Sequence, residues 1–158
     1  MDISRIEPSL LLRDVFMPQV KRSALVMFSA DQMFNLVNDV ASYQEFLPGC
    51  SGSRVLESSG VGMVASVDVS KAGISKTFTT ANTLVQGSEI LMELVDGPFK
   101  ALKGVWSFIP LDDQACKVEL KLDFEFSSKM IELAFGKIFH DVTSNMVNAF
   151  TKRAKEVY

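Results

Sequence analysis

Residues 117–126, KVELKLDFEF, set Val118, Leu120, Leu122, Phe124 and Phe126 in strict alternation with Lys117, Glu119, Lys121, Asp123 and Glu125. Successive side chains of a strand point to opposite faces, so this run is a strand with one apolar and one charged face. An apolar sheet face has to be covered by another layer. Upstream, Val61, Met63, Ala65, Val67 and Val69 repeat the same period. The turn signals Ser58-Ser59-Gly60, Ala72-Gly73, Gln86-Gly87-Ser88, Asp96-Gly97-Pro98 and Asp112-Asp113 cut residues 51–127 into six consecutive antiparallel strands.

The cover lies downstream. Between Ser128 and Tyr158, the residues Ile131, Phe135, Ile138, Val142, Met146, Ala149 and Phe150 trace a stripe of period 3.6. Roughly 28 helical residues reach about 42 Å, enough to cross the whole sheet. Lys152, Arg153 and Lys155 near the end suit the helix dipole. At the other end of the chain, residues 19–27 read as a strand and Ser29-Ala30-Asp31-Gln32 as a capping box. A short helix carrying Phe34, Val37 and Val40 should follow, then a second helical turn reaching Phe46 and stopped by Pro48-Gly49. The expectation is an α+β fold: a seven-stranded curved antiparallel sheet around one long C-terminal helix, with two short helices after strand one.

The chain has 158 residues, 47% of them hydrophobic, which suffices for one domain with a real core. Residues 17–158 form that domain, and residues 1–16 read as a flexible arm. Its run Leu10-Leu11-Leu12 and Val15-Phe16 is broken by Arg13-Asp14. It lacks a small-residue cleavage site and falls far short of the roughly 20 apolar residues of a span, so no transmembrane segment is expected. Met17-Pro18 is an alternative start of translation. The formal net charge of −3 excludes a generic polyanion binder, so any nucleic-acid contact must be local. Cys50 and Cys116 form no CxxC and have no histidine cluster beside them. That usage fits a reducing cytoplasm and leaves a single long-range disulfide open.

Catalytic chemistry has little to work with. His140 is the single histidine and lies off the apolar stripe, where a solvated or edge role is expected. The carboxylates Glu119, Asp123 and Glu125 share the wet strand face, without the burial that tunes an acid–base pair. No GxGxxG or GxxxxGK occurs, and no two Cys or His residues are spaced to share an ion. No catalytic residue, metal or cofactor is therefore assigned, and the protein is read as a non-enzyme.

The stretches Tyr43-Gln44-Glu45-Phe46-Leu47-Pro48-Gly49-Cys50, Asp96-Gly97-Pro98-Phe99-Lys100 and Leu122-Asp123-Phe124-Glu125-Phe126 resemble the coenzyme Q-binding START-domain family. So do Met146-Val147-Asn148-Ala149-Phe150 and Arg153-Ala154-Lys155-Glu156-Val157-Tyr158. The family is part of the polyketide cyclase/dehydrase and lipid transport superfamily, and within it the chain is most similar to the bacterial ribosome-association toxin branch. The match runs from about Met17 to Tyr158. It implies a helix-grip fold with an apolar cavity between sheet and long helix. It implies two roles: carrying ubiquinone or a related isoprenoid lipid in support of respiration, and binding the large ribosomal subunit to block subunit joining. An antitoxin partner, and a cytoplasmic protein with peripheral contact at the inner membrane, come with the same resemblance. The superfamily also hosts cyclase-type enzymes, which is analogy alone. Many members carry an aromatic residue where this chain has Gly49, which implies a wider or more mobile cavity entrance here.

Ala65, Ala24 and Gly104 fall at inward positions and are small, so a curved sheet spanned by a helix is left with unfilled space. The expected ligand-binding residues are Phe46, Leu47, Val67, Val69, Phe78, Trp106, Phe124, Phe135, Ile138, Phe139 and Val142. Lys71, Lys76, Lys100 and Lys103 lie in or beside two turns. If those turns meet at one end of the sheet, the lysines form a local phosphate-contacting patch for a ribosomal partner. Otherwise they are solvated turn residues.

Overall fold

The computed structural model describes residues 19–158; the 1–16 arm and the alternative start at Met17 lie outside the described residues. Strand β1 (Gln19–Val26) leads into helix α1 (Ala30–Asn38) and a 3-10 helix, Val40–Glu45. Then come β2 (Cys50–Ser58), β3 (Gly62–Lys71), β4 (Ile74–Val85), β5 (Glu89–Asp96), β6 (Phe99–Asp112) and β7 (Ala115–Phe126). Two helices, α2 (Lys129–Ser144) and α3 (Met146–Val157), end the chain. The strands make one seven-stranded sheet in the order β1-β7-β6-β5-β4-β3-β2, with every neighbouring pair antiparallel.

The period-two reading holds on β7, where Val118, Leu120, Leu122, Phe124 and Phe126 are buried while Lys121 and Glu125 are exposed. On β3 the inward series starts at Met63 rather than Val61. Val61 sits in the turn before the strand and is 71% exposed. Helix α1 begins as its capping box requires: Ser29 Oγ accepts from Gln32 N at 3.1 Å and Gln32 Oε1 accepts from Ser29 N at 2.9 Å. On the outer face, Asp68 accepts from Arg54 at 3.0 and 3.1 Å and from Thr77 at 2.6 Å, tying β2, β3 and β4 together. These bonds hold its carboxyl below the ordinary range. Their contribution to stability is present above about pH 4 and is lost as pH falls through the lowered value.

One expectation is corrected. The C-terminal cover is two helices and not one, broken at Asn145, whose φ of −101° and ψ of 0° lie at the edge of the right-handed helical region. The cause is three successive polar side chains that bond back into the preceding turn. Thr143 donates to the Phe139 carbonyl at 2.8 Å, Ser144 meets the His140 ring at 3.3 Å and Asn145 donates to the Asp141 carbonyl at 2.7 Å. Side chains that compete for backbone carbonyls bend helices.

The two helices anchor in different parts of the core. Val147, Phe150 and Ala154 of α3 pack with Phe34, Tyr43, Trp106, Phe108 and Leu120. Phe135 and Phe139 of α2 pack with Phe99, Leu102, Leu122, Phe124 and Phe126. The break in the helix therefore lies over a seam between two aromatic clusters.

Candidate functional site: a cavity at the seam

The seam is not filled. A cavity opens between the sheet and α2, lined by Ala65, Val67 and Val69 of β3, Phe78, Thr80 and Asn82 of β4, and Leu102 and Trp106 of β6. Leu120, Leu122, Phe139, Val142, Thr143, Met146, Met92, Val40, Tyr43 and Leu47 complete it. Beside it Gly104 has no side chain, and its neighbours fill the room: a Cβ there would stand 2.8 Å from Leu122 Cδ1 and 3.0 Å from Met92 Cε. The space open to the centre of a water-sized sphere is about 60 Å³. At about 10–15 Å³ per water, that admits a ring or a short chain. A long prenyl tail needs the walls to part.

A second, outer hollow of about 500 Å³ is lined by Pro48, Gly49, Ser70, Lys71, Asp141, Asn145, Asn148, Ala149 and Lys152. Leu47 and Val142 belong to both spaces and so stand between them. The outer hollow is the vestibule, and it lies at the helix break. Gly49 does not widen this entrance. Its φ is +85°, and a Cβ on it would lie 2.6 Å from Val142 Cγ2, so the bare backbone lies directly on the helix. Gly49→Ala should therefore cost about 1–2 kcal/mol from the left-handed backbone alone, more with the clash. A thermal melt matching that of the parent protein would show that the clash relaxes freely.

Of the residues expected from sequence, Leu47, Val67, Val69, Phe78, Trp106, Phe139 and Val142 line the cavity. Phe46, Phe124, Phe135 and Ile138 do not. Phe46 packs edge-on against Phe150 at 5.4 Å with the Arg153 guanidinium over its ring at 5.1 Å. Phe124 and Phe135 stand behind Phe139, at 4.8 and 6.0 Å between ring centroids, and half-buried Ile138 packs on the same cluster. Sequence reasoning missed Thr80 and Asn82. Their signal was the period-two register with Phe78, hidden because outward Thr77 and Thr79 are equally polar.

The four lysines divide. The β3–β4 and β5–β6 turns do point to one end of the sheet, since Thr79 pairs with Asp96. Lys71 is exposed and lines the vestibule with Lys152. Half-buried Lys76 sits opposite Val69. Lys100 lies 3.9 Å from Glu125, and Lys103 pairs across strands with both Glu93 and Asp123. Two of the four are thus matched by carboxylates.

The polar groups of the site are quiet. Burial, helped by Asp39 and Cys50, pushes the Tyr43 hydroxyl far above the ordinary phenol range, and it donates to the Val37 carbonyl. Cys50 and Cys116 are both free and buried, and burial raises both thiols, so neither is an activated nucleophile. His140 is exposed. Among the described residues no three His, Cys, Asp or Glu side chains converge on a metal site, and no helix is long and apolar enough to cross a membrane.

A curved antiparallel sheet closed by C-terminal helices over an apolar cavity is a helix-grip fold, and the solved START superfamily protein of Mycobacterium smegmatis shares it. That structure matches with a TM-score of 0.74 at 20% identity, over 89% of this chain and 99% of its own. The family described as polyketide cyclase / dehydrase and lipid transport matches residues 26–151. The chain belongs to that family. Among curated proteins similar to this chain, the ribosome association toxin RatA of Vibrio cholerae is 76% identical over 90% of this chain and 99% of its own length. The mitochondrial coenzyme Q-binding protein COQ10 homolog B of Xenopus laevis is 28% identical over 89% of this chain and 59% of that relative.

Proposed function

We propose that this chain is a ribosome-associating protein of the toxin kind, acting on the large subunit. The observation that carries it is the 76% identity, over 90% of this chain, with a protein named a ribosome association toxin. The sequence alone put the cargo role first; identity at this level reverses the order. Contact with ribosomal RNA requires local positive charge on an acidic protein, and Lys71 with Lys152 at the vestibule rim supply it better than Lys100 and Lys103, which face carboxylates. The test is co-sedimentation with large subunits across a salt series. Charge removal at Lys71 and Lys152 should flatten the salt slope by about 0.7–0.9 for each phosphate left without its lysine, while removal at Lys100 and Lys103 should change it little. If a variant lacking all four charges sediments as the parent does, with the same salt dependence, these lysines are solvated surface and the ribosomal face lies elsewhere.

The cavity favours a second, compatible role: binding an apolar ring lipid such as a quinone or another isoprenoid. Its support is a lining in which 14 of the 18 residues are apolar and only Tyr43, Thr80, Asn82 and Thr143 are polar. A non-catalytic role fits the exposed histidine and protonated thiols. Mass spectrometry of an organic extract, from protein purified without detergent, should find such a lipid. Repeated recovery of lipid-free protein that binds no added quinone would remove this role and leave the ribosomal one.

A further inference from the structure

Three of the four polar residues in the lining have used their hydrogens. Tyr43 donates to the Val37 carbonyl and Thr143 to the Phe139 carbonyl. Thr80, 8% exposed, donates to Asn82 Oδ1 at 2.8 Å. That bond fixes the Asn82 amide with its oxygen occupied and its nitrogen turned away. Asn82 is itself only 7% exposed, and among the described residues Nδ2 donates to nothing. Among the described residues the one fully enclosed side-chain nitrogen or oxygen without a partner is Asn38 Oδ1. The Asn82 nitrogen therefore faces open space, and the space this residue lines is the cavity.

A buried amide left without an acceptor is costly, and an apolar residue of the same shape would remove that cost. We propose that Asn82, held in place by Thr80, is the donor that orients a ring lipid bearing a carbonyl oxygen inside this cavity. The polarity of the amide selects the oxygen chemistry. Nδ2 offers hydrogens, so it matches a carbonyl, which brings no hydrogen of its own into an apolar chamber. A hydrocarbon offers it nothing, and a hydroxyl adds a proton that needs a second acceptor. The walls around it suit a ring: Asn82 pairs with Met92 of β5, and the aromatic Phe78 and Trp106 line the same space. This inference rests on the ligand-binding role proposed above and adds to it the chemistry of the ligand and the residue that reads it.

The test compares two probes by calorimetry: a short-tailed 1,4-benzoquinone, and the same tail on a plain benzene ring. The parent protein should prefer the quinone. Asn82→Leu should weaken the quinone roughly 2- to 12-fold, the worth of one hydrogen bond, and leave the hydrocarbon unchanged or tighter. The infrared carbonyl stretch of the bound quinone should move to higher frequency in the variant. If Asn82→Leu melts early because Thr80 is left without its acceptor, the double variant Thr80→Val/Asn82→Leu repeats the comparison with no polar pair at all. Equal quinone affinity and an unshifted carbonyl band in these variants would overturn the inference and leave ligand binding intact. Failure of the parent protein to bind either probe would overturn both.

Discussion

Phe124→Asp should leave no folded domain at 25 °C. Phe124 is 3% exposed, with Phe139, Phe126 and Phe99 at 4.8, 5.5 and 6.4 Å between ring centroids. Removing such a ring costs about 3–5 kcal/mol. The new carboxylate has no cation among those neighbours, so it must either stay ionised in an apolar cluster or take up a proton, at a further cost of several kcal/mol. The sum rivals the roughly 5–15 kcal/mol that holds an ordinary domain together. Circular dichroism and a melt decide it, with Phe124→Leu as the control that keeps the side chain apolar. A cooperative transition in the aspartate variant close to that of the parent would mean that the phase assigned to β7 is wrong.

Ala65→Phe should abolish ligand binding while the domain still folds. Ala65 is 3% exposed, lines the cavity from β3 and pairs with Thr80 of β4. A phenyl ring at this position occupies the free space itself, with overpacking that costs about 1–3 kcal/mol. The melt should therefore shift but remain cooperative, and titration with a short-tailed quinone should show no heat. Ribosome sedimentation of the same variant then asks whether a filled cavity is a condition for that partner. Undiminished quinone affinity in a folded Ala65→Phe protein would place the ligand elsewhere.

The sheet was legible because its signals are local. KVELKLDFEF carries its own phase, and each turn is marked by glycine or paired polar residues, so the number of strands and their succession along the chain followed from spacing, while the pairing of β1 with β7 did not. Ser29 and Gln32 announced α1 in the same way. The helix break escaped because the apolar stripe runs straight through it. What ends α2 is the run Thr143, Ser144 and Asn145, and periodicity does not weigh hydrogen bonds to the preceding turn. At the site, alternation told which faces point inward but not how deep each side chain goes. Phe124, Phe135 and Phe139 look alike in a stripe, yet only Phe139 reaches the cavity, because the other two lie behind it. Thr80 and Asn82 do not stand out from the polar residues around them, although their register with Phe78 places them inside.

The joint at Asn145 bears on time rather than on affinity. Leu47 and Val142 close the inner space, and Val142 stands one turn before the joint, on the helix anchored by the Phe135–Phe139 cluster, while α3 holds to the other cluster. Each half of the cover thus has its own anchorage, and the joint lies between them. A crosslink across the seam should therefore lengthen, and proline at 145 should shorten, the residence of a short-tailed quinone behind Val142, read as its dissociation rate.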